Sequence, residues 1–404
     1  MAIADGFEPG AREHADPRDF SIVLGGPLYQ LMRRAHMSGG ALELVQRRIL
    51  SLALVTWLPL AVLSMAGGDA FGGAARVPFV KDIEVHARFL LALPLLVAAE
   101  LLVHQRLRPI AQEFVVRGLV PEESLAAFRA CVISSWRLRN SVLAEVLMLA
   151  LVFGVGIPFL WRYTHELGTA TWYAVPGVDG TRLTPAGWWY AFVSVPVFQF
   201  LLLRWYFRIA IWIRFLWKVS RIRLALSPVH GDLNAGMGFL GGTVYAFVPL
   251  LVAHGVLLSG NIANRVLYGG AKLADSYAEV ALVAAFLFAL VVLPLTVFAG
   301  QVNDTKRRAS REYGRLAQRY ARDFEAKWLP GGTPPRQSPL GDADIQSLAD
   351  LANSLAVVRA TGPVPITRQV AINLAAAILV PLAPLLLTVV PARELAAHLV
   401  KLLL

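Results

Sequence analysis

Glu100 and His104 stand four residues apart in a run that is otherwise almost wholly apolar. At helical spacing both side chains lie on one face. Glu145 sits near the start of another apolar run, and Arg204 and Arg208 leave the end of a third. A polar turn, Pro228-Val-His-Gly-Asp-Leu-Asn, adds His230, Asp232 and Asn234. Ionisable groups at membrane depth are costly, so they pair with one another or line a polar cavity. These eight residues therefore have two readings. Glu100 and Glu145 neutralise Arg204 or Arg208 as structural ion pairs, with Asp232 and Asn234 on turn and helix-cap duty, or the group forms a polar vestibule that receives a small solute or ion. His230 and Asp232 are two metal-type ligands where three or four are needed, so no metal is assigned. No nucleophile–base pair can be assembled from the chain, and no catalytic or cofactor-binding residue is assigned.

The elements that must hold these groups follow from composition. Of 404 residues, 56% are hydrophobic and 16% charged. Soluble proteins carry about 25% charged and 45–50% apolar residues, which excludes an ordinary soluble enzyme and a disordered chain. Lipid offers the backbone no hydrogen-bond partner, so each crossing must be a helix of about 20 residues. Apolar runs at about 49–68, 87–105, 141–161, 187–208, 237–258, 280–302 and 370–392 predict seven spans. The first six form one transmembrane region over 48–302, and the seventh follows a long polar loop.

Charge supplies orientation. Cytoplasmic loops collect Lys and Arg. Counted through the chain, the 38 basic residues fall as 6, 3, 6, 2, 6, 2, 11 and 2 across the segments between spans. The alternation predicts a cytoplasmic N-terminus over 1–47, a cytoplasmic helical loop over 303–369 and an external C-terminus. The net charge of +11 is then topology, and nucleic acid is excluded as a partner. The expected partner is the bilayer. A lone cysteine, Cys131, excludes an intramolecular disulfide framework. Without a secretory leader pattern before it, the first span is expected to act as its own insertion signal.

Helices extend beyond the lipid. Pro121-Glu122-Glu123 opens a helix expected to run unbroken to about residue 157. The fourth span continues through Trp217, and Arg204, Arg208, Arg214 and Lys218 are read as snorkelling cations on an interfacial helix. Residues 304–328 read as a basic amphipathic helix; after a Pro/Gly linker, Asp342 or Asp344 caps a second one. Neither has a core of its own, so they pack on each other, on the long helices or on a second copy of the chain. Residues 393–404 read as a short outer interfacial helix. Every span contains proline, from Pro59 to Pro384, which predicts kinks.

Gly236-x-Gly238-x-x-Gly241 matches a dinucleotide fingerprint by letters. That fingerprint needs a preceding strand and a βαβ unit, neither of which is expected here. The glycines, with Gly242, are read as close helix packing. The surrounding string SRIRLALSPVHGDLNAGMGFLGG, with GRLAQRYARDFEAKWL and later segments, resembles a family of uncharacterised bacterial multi-span proteins. Their pattern reads roughly His-Pro-Asp-Arg-Ala-Gly-Gly-Leu-Gly-Phe; His230, Asp232, Gly236, Gly238 and Phe239 match it, while Gly231 replaces the proline. The resemblance implies residence in a bacterial inner membrane and no particular activity. Two function classes follow: a channel or transporter using the inner polar cluster, or a scaffold or sensor whose basic helices bind a partner.

Overall fold

The structure, a computed structural model, describes residues 20–27, 30, 45–73, 75–158, 171–177, 180–329 and 342–388. Among the described residues, six helices are long and apolar enough to cross a membrane: α1 (Val45–Ala66), α2 (Ile83–Val116), α5 (Pro185–Val219), α6 (Gly238–Gly269), α7 (Leu273–Trp328) and α9 (Arg368–Thr388). Between them α3 (Glu122–Arg139) and α4 (Val142–Gly156) form a bent pair that counts as a seventh crossing if taken together. The remaining helix, α8 (Ala343–Ala360), follows the long loop. Each apolar run named from sequence thus lies on one of these helices, and most helices overrun the expected span.

Burial follows the order expected of a bundle in lipid. In the apolar stretches of α2, α5 and α6, 50–61% of residues are buried, against 22% in α1, α7 and α9. The inner three are packed by Phe89, Leu93, Leu96, Trp205, Trp212 and Leu250. The outer faces carry exposed Leu54, Val62, Leu147, Phe153, Leu282 and Leu379. A soluble protein would bury such residues; a surface this apolar fits acyl chains. The architecture is that of an all-α polytopic membrane protein.

Proline sets the helix geometry. A wide turn over Ala87–Ala92 precedes Pro94, another over Val152–Gly156 precedes Pro158, and a third over Tyr190–Ser194 precedes Pro196. Tight turns over Gly238–Phe247, Leu293–Phe298 and Val380–Thr388 adjoin or contain Pro249, Pro294 and Pro381. The pyrrolidine ring donates no N–H and crowds the preceding turn, so the helix rewinds locally instead of breaking.

Two expectations need correction, and a third is narrowed. The helix from residue 121 does not run unbroken: α3 and α4 meet at a 45° bend. Ser141 takes an extended ψ of 112° and its hydroxyl accepts from the Ala144 N–H, restarting the helix with its own cap. A small hairpin, β1 (Ala174–Gly177) paired antiparallel with β2 (Gly180–Leu183), interrupts the all-helical pattern before α5. Of the two candidate caps for α8, Asp342 serves, accepting from the Asp344 N–H. Asp344 instead receives Lys327 and Trp328 Nε1 from α7, tying α8 to the basic extension. The expected interfacial helix at 393–404 and the linker over 330–341 lie outside the described residues.

Candidate functional site

Glu100 lies on the inward face of α2 and is 2% exposed. One carboxylate oxygen meets Arg48 Nη2 of α1 at 2.5 Å; the other meets Arg208 Nη1 of α5 at 2.8 Å and faces Arg204 Nη1 at 4.0 Å. Arg204 and Arg208 are one helical turn apart, so α5 presents both to the same carboxylate. Glu145, in the first turn of α4, reaches Arg204 Nη2 only at 3.9 Å, beyond hydrogen-bonding range. Arg208 also lies over the Trp205 ring at 4.9 Å. The snorkelling reading of Arg204 and Arg208 is thus overturned: Glu100 gives them a partner inside the bundle, and both are buried. Arg214 is exposed, and Lys218 donates to Ser134 Oγ at 2.6 Å.

Arg48 is the member that sequence reasoning missed. Its place before the first span made it one more cytoplasmic charge, yet it is 1% exposed. Its Nε and Nη1 have no acceptor in the structure. The signal available was a surplus: Glu100 lay in a span with two arginines already emerging at its depth.

A second unforeseen contributor is the segment Phe20–Pro27. Phe20 packs on Trp212 and Phe215. Ser21 Oγ bonds His104 Nδ1 at 3.1 Å, and the Ser21 carbonyl accepts from Arg139 Nη1 at 2.7 Å. The Gly25 carbonyl accepts from Arg204 Nη2 at 3.3 Å, and the Gly26 N–H donates to Asn140 Oδ1 at 2.8 Å. Gly26 has φ +91°, and a Cβ there would stand 2.9 Å from Glu145 Oε1 and 3.3 Å from the Arg139 carbonyl. Glycine is required on both counts. Against this segment lies a small, partly open cavity of about 10 Å³, lined among others by Gly25, Arg139, Glu145, Arg204 and Arg208.

The His230–Asn234 turn does not join this group. Asp232 Oδ1 accepts from the N–H groups of Asn234 and Gly236, and Oδ2 from that of Gly238 at 2.7 Å. It gathers a turn in which Leu233 and Ala235 hold positive φ, and it closes the first turn of α6. Burial alone would raise the Asp232 carboxyl, but these N–H groups and neighbouring His230 outweigh it and hold it below its ordinary value. The turn packs on Leu119, past the end of α2. From Glu100 to Val116 is about 24 Å along the helix at 1.5 Å per residue. The eight residues therefore share a side of the bundle without meeting. Glu100, His104, Glu145, Arg204 and Arg208 converge; His230, Asp232 and Asn234 form a separate backbone-binding turn.

The glycines of that region divide likewise. Gly241 is close packing in the strict sense, its missing Cβ leaving room for the Pro365 carbonyl. Gly238 instead makes room for the Asp232 side chain, and Gly242 faces open space, so the packing reading fails for both.

A further network closes the opposite end. Asp82 accepts from Trp172 Nε1 at 2.8 Å and Asn264 Nδ2 at 2.7 Å. Glu84 holds Arg88, whose other arm donates to Tyr190 Oη. Between the two ends, Tyr206 Oη and His254 Nε2 meet at 2.7 Å while His254 Nδ1 bonds the Leu250 carbonyl. That is a helix-to-helix bond between α5 and α6.

No known protein family, curated protein or solved structure matches the chain.

Proposed function

We propose that this chain is a channel or transporter for a small solute or ion in a bacterial inner membrane. Its mouth is the arginine-lined chamber, on the cytoplasmic side. Seven crossings with the N-terminus inside and the C-terminus outside give that side, on the strength of the basic-residue alternation. The resemblance to uncharacterised bacterial multi-span proteins, carried by His230, Asp232, Gly236, Gly238 and Phe239, belongs to the same reading.

One observation carries the proposal. A chain segment of no net charge, Phe20–Pro27, lies across a buried group of arginines; Arg139 and Arg204 donate to its carbonyls, and its Gly26 N–H donates to Asn140 Oδ1. A purely structural ion-pair knot needs as many carboxylates as guanidiniums and no stopper. Here Arg48 and Arg208 share a single carboxylate at hydrogen-bonding distance, and Arg204 faces the same carboxylate at 4.0 Å. The test is flux from proteoliposomes, with Glu145→Gln beside the wild type. An altered rate at unchanged folded yield supports the reading; lipid-only leakage for every ion tried counts against it.

The alternative class rests on α7. Arg307, Arg308, Arg311, Arg315, Arg319 and Arg322 are exposed along its extension. They suit a scaffold that binds an acidic partner. Such a protein would lose partner capture, and change no flux, when these residues become Gln.

A further inference from the structure

Gln301 of α7 donates to the carbonyls of Ser220 at 2.6 Å and Ile222 at 2.9 Å, where the chain leaves α5. The stretch that follows is fixed to the start of α3. Ser124 Oγ donates to the Arg223 carbonyl at 3.3 Å, and the Ala225 N–H to the Leu119 carbonyl at 2.8 Å. Between α3, Arg223–Pro228 and α7 these ties enclose a cavity of about 590 Å³, open on one side and of the size that small-molecule sites usually have. Leu224, Leu226 and Ala309 give it apolar walls, while Arg223, Arg308, Glu123, Asp304 and Glu312 bring charge of both signs. Among the described residues, none of these five side chains forms an ion pair. Arginines and carboxylates that line one space, yet stand too far apart to neutralise one another, leave room for a ligand that carries both signs.

Depth narrows the source of that ligand. The apolar run of α7 ends at residue 302, and Gln301 brings the ends of α5 and α7 to one level. At 1.5 Å per residue, Asp304 to Arg308 stand about 3–9 Å beyond that end, where phospholipid headgroups lie. We propose that this cavity holds the headgroup of a phospholipid bearing a phosphate and a primary ammonium. Arg223 and Arg308 take the phosphate; Glu123, Asp304 and Glu312 take the ammonium. Guanidinium suits phosphate oxygens, and an ammonium offers several N–H donors to carboxylates. A purely anionic headgroup would have nothing to offer those carboxylates, and a quaternary ammonium has no N–H to donate. Leu224 and Leu226 suit the glycerol and the first methylenes of the chains.

The site is read without flux, so it stands or falls apart from transport. The full chain in detergent is melted with rising amounts of dioleoyl phosphatidylethanolamine, phosphatidylcholine or phosphatidylglycerol, and with water-soluble glycerophosphoethanolamine. Binding to the folded state alone raises the melting temperature saturably with ligand. The expected result is a rise that the ethanolamine lipid half-saturates at a roughly tenfold lower content than either other lipid. Arg223→Gln with Arg308→Gln should raise that content roughly tenfold, as should Asp304→Asn with Glu312→Gln. All four side chains are exposed, so both double variants keep the fold. The carboxylate variant should also lose the preference over phosphatidylglycerol. An equal response to all three lipids, a stronger one to phosphatidylglycerol, or one that both double variants leave unchanged would overturn the proposal. Glycerophosphoethanolamine acting as well as the lipid would overturn the membrane as the source.

Discussion

Arg48 and Glu100 meet at 2.5 Å inside the bundle, joining a residue written off as loop charge to a carboxylate in the second span. The pair explains why α1 and α2 cannot slide: the contact is 1% and 2% exposed at its two ends, and neither charge has water to fall back on. Around it Arg204 and Arg208 add a second layer from α5. Three helices are thus fixed to one carboxylate.

The two carboxylates should therefore respond differently to neutralisation. Glu100→Gln strands three buried guanidiniums, and breaking a buried pair in this way costs about 3–5 kcal/mol. Glu145→Gln removes no hydrogen bond to Arg204, since 3.9 Å is too long for one. Melting of the detergent-purified variants should show a larger loss for Glu100→Gln, since Glu100 meets two guanidiniums at hydrogen-bonding distance, than for Glu145→Gln. Equal losses would mean that Glu145 is held as tightly as Glu100.

Asp232 gives a pH signature. Its carboxyl titrates below the ordinary value, so on acidification the unfolded chain takes up the proton first. The stability it supplies is complete above the unfolded value, about 3.9, and is lost as pH falls through the lower folded value. Asp232→Asn should cost about 1 kcal/mol at neutral pH, in the low range for bonds to a charged acceptor because the side chain keeps some solvent contact. Thermal melts of both proteins across pH should converge in acid. A gap that stays constant with pH would show that the carboxylate charge contributes nothing to the turn.

Most of the fold was legible because lipid imposes a crude rule. A run of about 20 apolar residues is readable without knowing its neighbours. The second run, interrupted by Glu100, is the long, half-buried α2. The break at Asn140–Ser141 was not legible, because no proline or glycine marks it. It depends on a serine cap and on Asn140 turning to Gly26, a partner 114 positions away. The site was half legible for the same reason. Depth follows from topology, so Glu100, Glu145, Arg204 and Arg208 were found. Position in the membrane plane follows from packing, so Arg48 and Ser21 were missed and His230 was wrongly brought in.

Orientation can be checked without any structure. Reporter fusions after residues 175 and 404 should behave as external, and one after residue 330 as cytoplasmic. An internal reporter at the C-terminus alone would require six or eight crossings, whereas reversal of all three reporters would keep seven and place the arginine chamber on the opposite face.

The central claim is that residues 20–27 close a path for a small ion, and Gly26 tests it most directly. With φ +91° and Glu145 Oε1 2.9 Å from where a Cβ would be, Gly26→Val cannot keep the segment seated. Chloride efflux from proteoliposomes should be measured for wild type and Gly26→Val at matched folded protein. The account predicts faster efflux from the variant than from wild type, and a return toward wild type when Arg204→Gln is added. Efflux from both that equals protein-free vesicles would contradict it.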